Sequence, residues 1–232
     1  MLTRKALLNG DFVDAHAHLV ASKQCLSREQ ILDSMTISLK ERPAGAPVWI
    51  FAYGSLMWNP LVTIEEMHRA RLQGWSRLCC IRLISGRATP AQPGRMLALD
   101  KGSETEGMIF RLPEHCLEQE LELIWTREMI GGLYIPVWAD VLLSNGDTVK
   151  ALVFVSDQGH PCYEADSTVS TVAKIVSHAT GSIGSNASYV TQLDTTLSAW
   201  AIRDDYIQQI ASILNNKYWD INEPPDAPAD IY

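Results

Sequence analysis

The chain has 232 residues, of which 47 % are hydrophobic and 20 % charged, enough apolar material for a sizeable core and too little polarity for a long disordered tract. Nineteen Lys and Arg stand against 27 Asp and Glu, a formal net charge of -8 with no basic run, which argues against binding to a phosphate backbone or an anionic membrane surface. No stretch approaches the roughly 20 apolar residues of a membrane span, and the five cysteines show neither C-x-x-C spacing nor an even count, so a disulfide framework and a cysteine zinc site are not expected.

The chain therefore reads as soluble, reduced and cytoplasmic, with no nucleic-acid or membrane partner. The first residues carry Arg4 and Lys5, then Asp11 and Asp14, and lack the apolar segment of a secretory signal. Residues 1–25 read as an irregular lead-in. His16 and His18 have no third ligand nearby and read as loop residues, so no metal is expected. Ser27 and Gln30 form a capping box ahead of Ile31, Leu32, Met35 and Leu39 at helical spacing, which predicts a helix ending near Leu39, before Pro43.

Residues 48–52 form an apolar run that predicts a strand buried on both faces, stopped by Gly54-Ser55 and closed by Asn59-Pro60. A glycine there lets the chain turn sharply and gather backbone N–H groups into an anion-binding concavity. A plain tight turn is the other reading. Residues 61–72 look loose, and 77–83 form a second strand candidate. Residues 86–95 hold two glycines, two prolines and two arginines, a basic loop that is either functional or simply solvated. Residues 96–99 and 105–112 look like two antiparallel strands joined by a turn at Lys101-Gly102-Ser103.

After Pro113, a helix is predicted over residues 114–129. Leu117, Leu121, Ile124 and Glu128 follow at intervals of four, three and four, which puts all of them on one face. A carboxylate thus occupies a position on the buried stripe, in the last turn before Gly131-Gly132, where the helix dipole also disfavours its charge. Both effects raise its proton affinity and suit a group that takes and returns a proton near neutral pH. A structural ion pair with Arg127 or an arginine of the basic loop explains the position equally well. Glu114, Glu118 and Glu122 line the opposite, solvated face.

Residues 134–143 and 148–155 predict a hairpin around Asn145-Gly146. Tyr163 follows in a loop, its hydroxyl either in a pocket or bound to backbone. A short helix over 167–179, a flexible break at 181–185, a helix capped by Asn186 and another starting at Asp204 complete the pattern. The stripe Tyr189, Leu193, Leu197 and Trp200 reads as core. The organisation expected is an N-terminal helical extension over 1–47, a main domain over 48–221 and a loose proline-containing tail over 222–232.

Three motifs in this order, Tyr-Gly-Ser-Leu-Met-Trp-Asn-Pro from Tyr53, Arg-x-Thr-Pro-x-x-Pro-Gly-Arg from Arg87 and Arg-Glu-Met-x-x-Gly-x-Tyr from Arg127, make the chain similar to the ChaC-like γ-glutamylcyclotransferases that act on glutathione. The resemblance runs from about Val48 to Leu197. It implies an α+β fold, a small mixed β-barrel with surrounding helices. It implies Glu128 as catalytic acid/base, Tyr53, Gly54, Ser55 and Leu56 as the loop holding the γ-glutamyl group, and Arg87 and Tyr163 at the substrate pocket. Glutathione would be cleaved to 5-oxoproline and Cys-Gly without cofactor or metal. Ala52 and Ala88 stand where the family usually has glycine. The alternatives are cyclisation of another γ-glutamyl amine and a non-catalytic module that binds a γ-glutamyl ligand or a partner.

Overall fold

The computed structural model describes residues 3–14 and 25–216; the His16 and His18 pair and the tail over 222–232 lie outside the described residues. Strands β1 (Trp49–Ala52), β2 (Glu66–Leu83), β3 (Gly94–Arg111), β4 (Tyr134–Leu143) and β5 (Thr148–Ser156) close into a barrel in the order β1-β3-β2-β4-β5. All pairings are antiparallel except the closing one, in which β1 runs parallel to β5 with Trp49 opposite Ala151 and Ile50 opposite Leu152. With a partner on each edge, β1 is buried along its whole length, and this is why its sequence is apolar without alternation.

Six labelled helices surround the barrel: α1 (Arg4–Leu8), α2 (Arg28–Leu39), α3 (Leu117–Met129), α4 (Val169–His178), α5 (Asn186–Ala199) and α6 (Asp205–Asn215). The first two pack on α3, whereas the last three pack on one another and reach β3 through α4 and α5. The Ser27 capping box is present in both directions, with Gln30 N–H donating to Ser27 Oγ at 3.2 Å and Ser27 N–H donating to Gln30 Oε1 at 2.8 Å. Among the described residues no helix is long and apolar enough to cross a membrane.

Several local expectations are corrected. The loose segment over 61–72 is in large part strand, because β2 starts at Glu66 and runs through a bulge at Gly74, whose φ of +82° only glycine adopts readily. The turn at Lys101-Gly102-Ser103 does not form. Instead β3 continues without a break, since β2 is long enough to pair with both of its halves. Gly102 is needed there for close approach, as a Cβ would fall 2.0 Å from Ser76 Oγ.

The lead-in contains α1, capped by Thr3, whose Arg4 forms a two-pronged ion pair at 2.6 Å with the buried Glu120 of α3. Burial alone pushes the Glu120 carboxyl up, but Arg4 and Thr63 together hold it below its ordinary value. The α-helix at 114–129 starts later, at Leu117, after a 3-10 turn over Glu114–Cys116 capped by Pro113. The break over 181–185 is a two-strand clip, β6 (Thr180–Gly181) with β7 (Gly184–Ser185). The cap of α5 is Ser185 and not Asn186. Asn186 is buried, and its amide clasps β3 by accepting from Arg95 N–H at 2.7 Å and donating to the Arg95 carbonyl at 3.0 Å.

One buried cation joins the barrel to the helices. Arg77 on β2, with a side chain only 1 % exposed, pairs through one terminal nitrogen with Asp204, the N-cap of α6. Its Nε donates to the Tyr53 carbonyl at 2.8 Å, and its other terminal nitrogen donates to the Glu106 carbonyl. Removing one member of such a pair strands the other and orphans the carbonyls. Arg77→Met is expected to lower unfolding free energy by about 3–5 kcal/mol, read as a lower urea midpoint at unchanged m-value.

Candidate active site

The site is assembled where the last turn of α3 meets the loop after β1. That loop runs through Tyr53 and Gly54 into a 3-10 turn over Ser55–Met57, stabilised by Met57 N–H donating to the Gly54 carbonyl at 2.9 Å and Asn59 N–H to the Ser55 carbonyl at 3.0 Å. The N–H groups of Ser55 and Leu56, at the start of the turn, make no hydrogen bond to the described residues. This is the free donor end that any helical turn presents. Gly54 has a φ of -139°, so left-handed backbone is not what requires glycine there. Space is the reason: a Cβ would sit 3.0 Å from the Tyr189 hydroxyl and 3.2 Å from Leu97 Cδ2.

Arg127 fixes α3 against this loop. One terminal nitrogen donates to Ser55 Oγ at 2.6 Å and the other to the Asn59 carbonyl. The next residue is Glu128, on the same stripe as the buried Leu121 and Ile124, with a side chain 16 % exposed. Arg127 Nε lies 3.2 Å from Glu128 Oε1, so the ion pair that the helix pattern left open does exist. It is not a hydrogen bond, and the terminal nitrogens of the guanidinium are committed elsewhere. Burial raises the Glu128 carboxyl above its ordinary 4.5, and Arg127 pulls back only part of that rise. Glu128 is thus an acid with increased proton affinity beside a cation that steadies its ionised form.

Tyrosines surround the acid, and its charge adds to the burial that raises the phenols of Tyr53, Tyr134 and Tyr189. The Tyr53 hydroxyl donates to the Phe154 carbonyl and that of Tyr134 to the Leu97 carbonyl, each at 2.7 Å. The hydroxyl of Tyr53 is therefore engaged, as is its carbonyl, which accepts from Arg77. Arg87 is tied to the first turn of α5 by donating to the Ser185 carbonyl at 3.0 Å and to Ser188 Oγ, immediately before Tyr189 in the chain.

Tyr163 sits in a separate cluster. Its hydroxyl donates to Asp100 Oδ2 at 2.6 Å, and Asp100 also accepts from Ser156, Gln158 and Lys101 N–H. Burial pushes the Asp100 carboxyl up, but those donors hold it below its usual range, while the same bond and burial push Tyr163 up to about 12. No hydrogen bond or ion pair joins Tyr163 to Glu128 or to the 53–56 loop. Cys79 and Cys80 are buried, which pushes both thiols up to about 12 and leaves them protonated and poor nucleophiles at neutral pH. Ala52 and Ala88 place their methyls in the core, at 0 and 2 % exposure.

The structure thus ties the 54–56 loop to Arg127, the chain neighbour of Glu128, links Arg87 to Ser188, and places Tyr163 with Asp100. From the sequence Tyr189 reads as core because it lies on the apolar stripe of α5. Its signal was the polar tip on that stripe, in the first turn after a Gly-Ser clip.

A family model for ChaC-like proteins matches residues 48–217. The chain belongs to the ChaC-like family. Within the family, the glutathione-specific gamma-glutamylcyclotransferase of Escherichia coli (strain K12) is 44 % identical over 210 residues, 90 % of this chain and 90 % of that protein. The protein of that name from Schizosaccharomyces pombe is 28 % identical over 172 residues, 65 % of this chain and 82 % of the relative. The crystal structure of a glutathione-specific cyclotransferase from yeast shares the ChaC-like fold, with a TM-score of 0.67 at 19 % identity over 74 % of this chain and 96 % of that one.

The environment of Glu128 sets a stability trend. Its folded-state proton affinity is raised, so the folded chain holds more protons than the unfolded one above pH 4.5, and stability falls as pH rises through the raised value. Glu128→Gln is expected to match the wild type in unfolding free energy below pH 4.5 and to exceed it at pH 7, in denaturant titrations at both pH values.

Proposed function

We propose that this chain is a γ-glutamylcyclotransferase that cleaves glutathione to 5-oxoproline and Cys-Gly, with Glu128 as the proton carrier. The observation that carries the reading is a carboxylate of raised proton affinity whose chain neighbour, Arg127, is fastened to a loop with free N–H groups. The name of the 44 % identical relative supports glutathione as the substrate.

In the reaction the α-amine nitrogen of the γ-glutamyl group attacks the carbon of its own side-chain amide. A C–N bond closes the five-membered ring, the carbonyl electron pair moves onto oxygen, and its return expels the cysteinyl nitrogen. Counted from the ammonium form, two protons leave the attacking nitrogen and two arrive on the departing one, one of them through Glu128 and the other by exchange with solvent, so no water is consumed. Glu128 in its ionised form takes a proton from the first and delivers it to the second, a single group serving as base and then acid. Nucleophile and electrophile belong to one molecule, so the protein's task is to fold the substrate to an approach of about 3–3.5 Å. The N–H groups of Ser55 and Leu56 face the demand for stabilising negative charge on oxygen. Arg127 opposes the effect of burial on Glu128 and favours its ionised form, the one that acts as base.

Two outcomes test this. Purified protein with millimolar glutathione is expected to release 5-oxoproline and Cys-Gly in equal amounts, and Glu128→Gln to lower turnover by about 10²–10⁴-fold while remaining folded. Faster release from γ-glutamyl-lysine or γ-glutamyl-alanine than from glutathione would reassign the substrate; binding without product would leave only a binding module. In the pH profile of kcat/KM, which reports the free protein, the acidic limb is expected above 4.5. Arg127→Met should move that limb to higher pH and Arg127→Lys, which keeps the charge, should restore it.

A further inference from the structure

Five tyrosines lie among the described residues, and four of their hydroxyls are occupied: Tyr53 by the Phe154 carbonyl, Tyr134 by the Leu97 carbonyl, Tyr163 by Asp100 and Tyr206 by Cys79 N–H. The hydroxyl of Tyr189 has no hydrogen-bond partner among the described residues. It is held in place nonetheless. Its ring stacks at a tilt on Trp58, with centroids 5.4 Å apart, and the preceding Ser188 is anchored by Arg87. The hydroxyl stands over Gly54, which leaves room for it by lacking a Cβ. Ser55 and Leu56, the residues with free N–H groups, follow Gly54 directly.

Resting on the cyclotransferase reading, we infer that the Tyr189 hydroxyl is a third donor, with the N–H groups of Ser55 and Leu56, to the γ-glutamyl carbonyl oxygen as it takes on negative charge. All three donors are neutral. Such a set interacts modestly with a ground-state carbonyl and strongly with an oxyanion, which is the difference that lowers a barrier. A permanent carboxylate on the substrate would be better met by a guanidinium. Burial and the charge of Glu128 both keep the phenol protonated, so it acts as a donor and not as a second base. When the attacking nitrogen adds, the carbonyl electron pair settles on an oxygen already facing these donors, and it returns when the cysteinyl nitrogen leaves with the proton from Glu128.

Tyr189→Phe keeps the ring on Trp58 and removes only the hydroxyl. The expected result with glutathione is a loss in kcat of about 10²–10³-fold, with KM changed by no more than about twofold. A raised KM at retained kcat would mean ground-state binding and would overturn the inference, as would wild-type values of both. If Tyr189→Phe does not fold, Gly54→Ala is read by the same criteria, since its methyl would sit 3.0 Å from the hydroxyl, which must then give by a few tenths of an ångström. No 5-oxoproline from the wild type would defeat the cyclotransferase reading itself, whereas an active wild type with an unaffected Tyr189→Phe defeats only the role of this hydroxyl.

Discussion

One guanidinium holds the candidate site together. Arg127 spans from the last turn of α3 to Ser55 and Asn59, and with side-chain exposure of 9 % it makes these bonds largely out of water. Charge-assisted hydrogen bonds in such a setting are stronger and more directional than those on a surface. Their effect is to fix the distance between the loop and the residue that follows Arg127. Glu128 thereby gains a defined position from its sequence neighbour while its own carboxylate makes no hydrogen bond to the described residues that would tie down its proton. The same cation also tempers the proton affinity that burial imposes, so one side chain sets both the geometry and the electrostatics of the acid.

A second buried arginine does the corresponding work on the other side of the loop. Arg77 receives the Tyr53 carbonyl just before the loop turns and passes the connection to Asp204, which also caps α6 by accepting from Ile207 N–H at 3.0 Å. The helical layer is therefore registered to the barrel at the point where β1 ends. Asn186 adds a third clasp, with both of its amide groups engaged by the backbone of Arg95 on β3. These polar contacts are few, and each is satisfied on both sides, which is the condition under which buried polarity specifies an arrangement without a large desolvation penalty.

The sequence made legible what depends on local periodicity and hard stops. The buried strand at Trp49, the Ser27 box, the hairpin around Gly146 and the stripe that buries Glu128 all follow from neighbours within a few residues. Long strands were illegible for the opposite reason. Gly74 and Gly102 look like stops, and only the partner strand, which places Trp75 opposite Lys101 and Ser76 opposite Asp100, shows that they are a bulge and a close crossing within two continuous strands. The site divided in the same way. Glu128 was visible as a charge in an apolar row, and the ion pair with Arg127, left open by the pattern, turned out to coexist with a raised carboxyl. Arg77 and Tyr189 were invisible because their partners, at Asp204 and Gly54, are more than a hundred residues away in the chain.

The proposed intramolecular cyclisation accounts for a site built from such contacts. The reacting nitrogen and carbon arrive in one molecule, so what must be supplied is a restricted conformation, a place for charge on oxygen and a carrier for protons. Restriction requires a loop that does not yield, which Arg77 and Arg127 provide from its two ends. Charge on oxygen requires donors not already bound within the protein, as at Ser55 and Leu56 among the described residues. The carrier must lie close enough to serve both nitrogens and be free to release what it takes. A carboxylate sharing a neighbour's charge, but not its hydrogen bonds, satisfies that requirement.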